Sequence, residues 1–224
     1  MEKLKKFLQS RRSSPMLLYL PCFLLLFFIT ERVVPTTGYW VSYLPLDDSI
    51  PFCEFFVIFY VMWYPLLLGT AAWRLIHDDD TCRRYGWFII IGFTASLLFC
   101  LLFPNGQDLR PAVFANRNIF SRLVEMLYRA DTNTNVLPSM HVIGAMGACF
   151  GVFRSKTTPR RMRIAVLVLT ILINASTVFI KQHSILDVFV GAAVSAGLYF
   201  LVFVLPDRRF HKTAPPPSEE APQQ

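Results

Sequence analysis

Apolar residues gather along this chain into six blocks separated by shorter polar stretches, at roughly residues 16–34, 54–76, 87–104, 138–153, 164–182 and 185–205. A helix needs about 20 mostly apolar residues to cross a bilayer. The pattern predicts an all-α membrane protein, a six-transmembrane helical bundle in which the fourth span is the shortest. There is no repeat of solenoid-like period, so residues 16–205 read as one domain. A basic N-terminal segment (1–15) precedes it, and the proline-rich "TAPPPSEEAPQQ" ends a tail (206–224) expected to be disordered. Between the third and fourth blocks, the long segment 105–137 contains "NIFSRLVEMLYRAD". Its helical period puts Ile119, Phe120, Leu123, Val124 and Leu127 on one face and Arg122, Glu125 and Arg129 on another. This predicts an interfacial helix before the fourth span; a helix packed on the ends of the spans gives the same pattern.

Composition agrees with the membrane reading and charge orients it. The chain is 54% hydrophobic and only 17% charged, with 21 Phe, which excludes an ordinary soluble domain. The net charge of +7 does not point to nucleic acid, because the basic residues cluster in alternate connecting segments: Lys3 to Arg12, Arg74 to Arg84, Arg154 to Arg163 and Arg208 to Lys212. The other segments hold Arg32, Arg110, Arg117, Arg122, Arg129 and Lys181. By the positive-inside bias both termini are expected in the cytoplasm, with the bilayer as partner. No small-residue cleavage site follows the first block, where "ITERVV" stands, so it is read as a span and not a signal peptide. Cys22, Cys53, Cys82, Cys100 and Cys149 have no metal-like spacing and read as small hydrophobes. Gly144, Gly147 and Gly151 in the fourth block, and Gly191 and Gly197 in the sixth, predict close helix packing.

The same topology collects the reactive polar residues on one side. Arg110 follows the third span, Ser139 and His141 open the fourth, Thr177, Lys181 and His183 end the fifth, and Asp187 opens the sixth. Ionisable groups at such depth are costly in lipid and usually functional. His183 and Asp187 are four apart, the spacing that puts two side chains on one face of a helix. A carboxylate on one imidazole nitrogen fixes the tautomer and leaves the other nitrogen as a nucleophile or base. A structural hydrogen bond is the alternative. In "PSMH", Pro138 suits a first helical turn, and the free N–H groups that follow suit an anion such as phosphate. Ser139 adds a hydroxyl and His141 a proton donor; simple capping by Ser139 is again the alternative.

Taken together, "FPNGQDLRP", "PSMH" and "STVFIKQHSILD" resemble the three motifs of the type 2 phosphatidic acid phosphatase superfamily, lipid phosphatases related to the vanadium haloperoxidases. Those motifs are Lys-x6-Arg-Pro, Pro-Ser-Gly-His and Ser-Arg-x5-His-x3-Asp, and the likeness covers about residues 103–191. It implies a six-span enzyme in the plasma membrane with its site on the extracytoplasmic side. It implies hydrolysis of a lipid phosphate such as phosphatidic acid, with no metal or other cofactor. His183 would carry a phosphohistidine, oriented by Asp187; His141 would protonate the leaving alcohol; Arg110, Ser139 and the Met140 amide would hold the phosphate oxygens. Three positions depart from the pattern: Phe103 replaces the lysine, Met140 the glycine and Thr177 the arginine. Lys181, one helical turn beyond Thr177, is the expected substitute cation, and Arg129 a second candidate. Thr177 also resembles the ceramide-headgroup synthases, whose His, His and Asp transfer a phosphoryl headgroup between lipids; hydrolysis and transfer therefore both stand. A transporter in which His183, Asp187 and Lys181 relay protons is a third class, and lacks the expected broken mid-depth helices.

Overall fold

A computed structural model of the chain describes residues 2–207, so most of the tail expected to be disordered lies outside the described residues. The chain is 72% helical. A short helix α1 (Glu2–Gln9) and a 3-10 turn (Ser14–Leu18) lead into α2 (Tyr19–Val33). A two-residue strand β1 (Trp40–Val41) and a short helix α3 (Leu46–Ser49) follow. A 3-10 turn (Glu54–Phe56) runs into α4 (Val57–Val61), then α5 (Trp63–His77) and α6 (Asp79–Leu102). After β2 (Asn105–Gly106) come α7 (Ile119–Ala130), α8 (Met140–Arg154), α9 (Arg160–Phe179) and α10 (Ile185–Tyr199), which a π-helical turn extends.

Five helical stretches are long and apolar enough to cross a membrane: Ser14–Val33, Glu54–His77, Asp79–Leu102, Arg160–Phe179 and Ile185–Asp207. This is the make-up of an all-α membrane protein. Leu25, Phe28, Leu68, Leu98, Ile171 and Phe189 are exposed on these helices, the apolar outer surface such a protein presents to lipid. The third stretch begins well before its apolar block. Asp78 caps it by accepting from the Thr81 amide, and Arg84, paired with Asp80 and Asp207, keeps the polar first turns folded.

The shorter apolar helix α8 is the axis of the bundle and packs against α5, α6, α9 and α10. Its small residues make that possible. A methyl group added at Gly144 would stand 2.7 Å from the Trp63 indole nitrogen, and one at Gly147 would stand 2.6 Å from the Phe88 ring. Gly191 of α10 is pressed against α8 in the same way: an added methyl group would stand 3.0 Å from the Val142 side chain and 3.1 Å from the Ser139 carbonyl. The expected close approach therefore holds at Gly144, Gly147 and Gly191. It fails at Gly151, whose neighbours lie at ordinary distance, and at Gly197, which faces open space.

At the end of the bundle that carries His183, the loops interlock. Strand β1 pairs in parallel with β2, and Gly106 bridges to Thr134. Helix α7 buries Val124 on Val57, Tyr60 and Ile180, with Phe120, Leu127 and Tyr128 around it. It leaves Ile119, Leu123 and Met126 exposed. The apolar face read from the sequence is thus divided between packing on the bundle and the open surface.

Gly144→Ala is expected to destabilise the protein by about 1–3 kcal/mol through overpacking against Trp63, whereas Gly151→Ala should be neutral or slightly stabilising. Thermal unfolding of the two variants in detergent checks the contrast.

Candidate active site

His183 precedes α10 instead of lying within it. The helix begins at Ile185 with Ser184 as its N-cap, and Asp187 closes a capping box by accepting from the Ser184 amide at 3.0 Å. The carboxylate that reaches back for this cap also meets His183 Nδ1 at 3.3 Å. The spacing of four read from the sequence holds, but the contact comes from cap geometry and not from two side chains on one helical face. The other carboxylate oxygen accepts from the Ser42 hydroxyl, brought in by the first long loop. Asp187 is wholly buried, and the donors around it are what a buried carboxylate needs. With Nδ1 on Asp187, His183 keeps Nε2 free of any hydrogen-bond partner among the described residues.

His141, in the first turn of α8, stands with its ring centre 6.0 Å from that of His183. Aromatic neighbours fix it: the Tyr60 ring stacks at 4.1 Å and the Trp63 ring lies at 4.5 Å. Trp63 also donates its indole N–H to the His141 carbonyl at 3.0 Å. His141 Nε2 is buried with no partner. Helices α8 and α10 are joined where the two histidines diverge, by the Ser139 amide donating to the Asp187 carbonyl at 3.4 Å.

Both histidines line one cavity of about 230 Å³, together with Met140, Gln182, Tyr60 and Trp63. One wall is made by α2, where Leu24 and Phe28 are exposed residues, so this wall stands at the surface of the bundle. Two carboxyl residues that the sequence reading passed over also line it, Glu31 and Asp131. Glu31 accepts from the Thr132 amide and hydroxyl and from the Asn135 side chain. Asp131 has one side-chain partner, Gln182 Nε2 at 3.4 Å. Burial, with the Glu31 charge nearby, pushes the Asp131 carboxyl up to about 6. A signal for Glu31 was present, a charge at the end of an apolar run, and Asp131 opens the polar lead-in to "PSMH". Ser42 and Gln182 had no local signal.

Several expected site residues are placed elsewhere. Arg110 does not line the cavity. Its guanidinium donates to the carbonyls of Tyr128, Asp131 and Thr132 and to Gln182 Oε1, and lies 4.4 Å over the Tyr128 ring. It closes the C-terminal end of α7, the proper place for a cation beside unpaired carbonyls. Lys181 does not line the cavity either. The same-face argument required the helix to run on, but α9 ends at Phe179 and Lys181 takes a left-handed φ of 54°. Its ammonium therefore turns to the carbonyls of Asp47 at 2.8 Å and Ile50 at 2.6 Å. Thr177 turns its hydroxyl onto the Asn174 carbonyl, and its own carbonyl accepts the amides of Gln182 and His183. Thr177 thus shapes the turn bearing His183. Ser139 caps α8, with its hydroxyl accepting from the Val142 amide at 3.4 Å. Arg129 pairs with Glu125 on the exposed side of α7, and Phe103 packs on Trp40. What remains for an anion at the α8 terminus is the pair of backbone N–H groups of Met140 and His141, which no carbonyl accepts among the described residues.

No protein-family model matches the chain, and no curated protein matches it either.

Asp131 makes the pH dependence of stability a direct check. Its pKa is raised in the folded state, so the folded protein holds a proton that the unfolded chain releases between about pH 4 and pH 6. The contribution of Asp131 to stability is full below its unfolded pKa and falls as pH rises through the folded value. Asp131→Asn should therefore gain melting temperature over the wild type as pH goes from 4 to 7; a gap that stays constant would refute the raised value.

Proposed function

We propose that the chain is an integral membrane enzyme that cleaves a phosphate ester of a lipid through a phosphohistidine at His183. The observation that carries this reading is the pairing in one cavity of an Asp-backed imidazole with a free Nε2 and a second histidine 6.0 Å away. Asp187 holds the His183 tautomer and balances the positive charge that grows on the ring as the N–P bond forms. His141 gives a proton to the departing alcohol oxygen and afterwards takes one from the attacking hydroxyl. Oxygens on phosphorus meet the amides at the start of α8, whose dipole favours negative charge. The resemblance of the three motifs to the type 2 phosphatidic acid phosphatases supports the same roles for His183, Asp187 and His141. Arg110 and Lys181 act in this reading by holding the loops that position the site.

In this reading the bundle has six spans. Helix α8 is about 22 Å long at 1.5 Å per residue, shorter than the roughly 30 Å hydrocarbon layer. Enclosed by four other helices, it need not match the lipid by itself. Both termini lie in the cytoplasm, the site faces outward at the plasma membrane, and α7 rests at the interface on Ile119, Leu123 and Met126.

Hydrolysis of a phosphate monoester is the simplest overall reaction. One observation favours the second reading, transfer of a phosphoryl headgroup to another lipid alcohol. Charged side chains lining the cavity, among the described residues, are the carboxyls Glu31 and Asp131, while Arg110 and Lys181 are held on carbonyls. Such a cavity suits the single charge of a phosphodiester better than the double charge of a monoester.

Purified protein in detergent, supplied with lipid phosphates and phosphodiesters, should turn over at least one of them. His183→Ala should abolish turnover, and His141→Ala should lower it by about 10²- to 10⁴-fold. Vanadate should inhibit by mimicking five-coordinate phosphorus at His183. Free phosphate among the products supports hydrolysis and a new headgroup lipid supports transfer; unchanged activity of His183→Ala would sink both.

A further inference from the structure

We infer that the cavity selects a phosphodiester lipid whose headgroup bears a protonated primary amine, held by Asp131, Glu31 and Asn135 while its phosphorus faces His183. This deepens the reading proposed above by naming the class of ester, and rests on it for the orientation of the headgroup.

Hydrogen-bond bookkeeping carries the inference. Asn135 is 6% exposed and lines the cavity beside Glu31. Its amide nitrogen donates to Glu31 Oε1 at 2.5 Å. An ionised carboxylate only accepts, so this contact fixes which end of the amide is which. The remaining atom, Oδ1, is a buried acceptor with no partner. A buried acceptor left unmade is costly, and a native site that retains one has use for a donor. Its left-handed backbone, φ 59°, holds Asn135 in this position, and Asn tolerates that region better than most residues.

Charge narrows the donor. Two carboxyls share the wall, and the nearest guanidinium, Arg110, is bound to three carbonyls and an amide oxygen. Among the described residues the one side-chain donor to the Asp131 carboxyl is Gln182, at 3.4 Å. An uncharged polyol would satisfy Asn135 Oδ1 without adding positive charge beside Asp131 and Glu31, whose mutual repulsion Arg110 offsets only in part. A second phosphate charge would worsen their repulsion. A primary ammonium brings three N–H donors and one positive charge, which answers Asn135 and both carboxyls together. A quaternary ammonium has the charge without the donors. The exposed Tyr64 ring, which also lines the cavity, supplies an aromatic face for such a cation.

The chemistry then balances without a further reagent. His183 Nε2 bonds to phosphorus as the bond to the diacylglycerol oxygen breaks, and His141 protonates that oxygen. Water or an alcohol next attacks phosphorus, the N–P bond breaks, and His141 recovers the proton. The amine stays protonated throughout.

The test separates binding from turnover. Full-length His183→Ala protein in detergent is titrated with phosphatidylethanolamine, phosphatidylcholine, phosphatidylglycerol and phosphatidic acid of the same acyl chains, with binding read by native mass spectrometry. Phosphatidylethanolamine should bind about tenfold more tightly than the other three. Adding Asp131→Asn should bring all four within about threefold. Equal or tighter binding of any of the other three would overturn the assignment. Wild-type turnover is followed on the same lipids by product analysis. A binding preference without turnover keeps the amine site and sinks the phosphohistidine; turnover without the preference does the reverse.

Discussion

One buried carboxylate governs the architecture at the end of the bundle that carries His183. Asp187 is fully buried, and an ionised group there is tolerable only if donors surround it. One donor is local, the Ser184 amide of its own helix cap. One is His183 Nδ1. The third, the Ser42 hydroxyl, comes from far along the chain and obliges the loop after α2 to cross to the head of α10. The β1–β2 pairing holds that loop in place, with the Ser42 amide donating to the Gly106 carbonyl at 2.7 Å. Asp47 fastens its other end by accepting from the Ser184 hydroxyl and the Ile185 amide, and Lys181 binds the carbonyls of Asp47 and Ile50. Satisfying one carboxylate thus draws together the first loop, the turn after α9 and the start of α10, and the same network sets the direction of the His183 ring.

The second histidine depends on a different constraint, the thinness of α8. Gly144 lets the Trp63 indole lie against the helix backbone, where it donates to the His141 carbonyl and flanks the His141 ring. Gly191 lets α10 approach from another side. A helix lined with larger residues would separate α5 from α10 and with them Trp63 from His183. Placing two imidazoles at 6.0 Å is therefore the joint outcome of polar saturation at α10 and small residues at α8.

Much of this was legible in the sequence, for identifiable reasons. The apolar blocks marked the long helices because an apolar run of that length has few other uses. His183, Asp187 and His141 were legible because ionisable residues at the ends of such runs are expensive. The failures all involve backbone direction or distance along the chain. A helical-face argument linked Thr177 to Lys181, but the helix ends at Phe179 and the left-handed Lys181 points to α3. Arg110 looked like a phosphate ligand because its motif is local, whereas its partners, from Tyr128 to Thr132 and at Gln182, are fixed by how α7 docks. Ser42 and Glu31 meet the site across 145 and 104 residues respectively, separations that no local pattern encodes.

The positions of the two cations bear on how an anion would be held in the proposed reaction. Where a guanidinium or ammonium faces phosphate, charge does most of the holding, and the site is indifferent to what else the phosphate carries. With Arg110 and Lys181 committed to carbonyls, the phosphoryl oxygens of the proposed substrate would be left with neutral donors: the amides that open α8, with the helix dipole behind them. Neutral donors bind an anion more weakly than charged ones. In that reading affinity comes from the remainder of the substrate, which would meet the carboxyls, the unpaired amide oxygen and the aromatic rings that line the cavity. On the proposed function, recognition thereby moves from the phosphate to its substituents, and a binding site built in that way would discriminate among esters by what the ester bears.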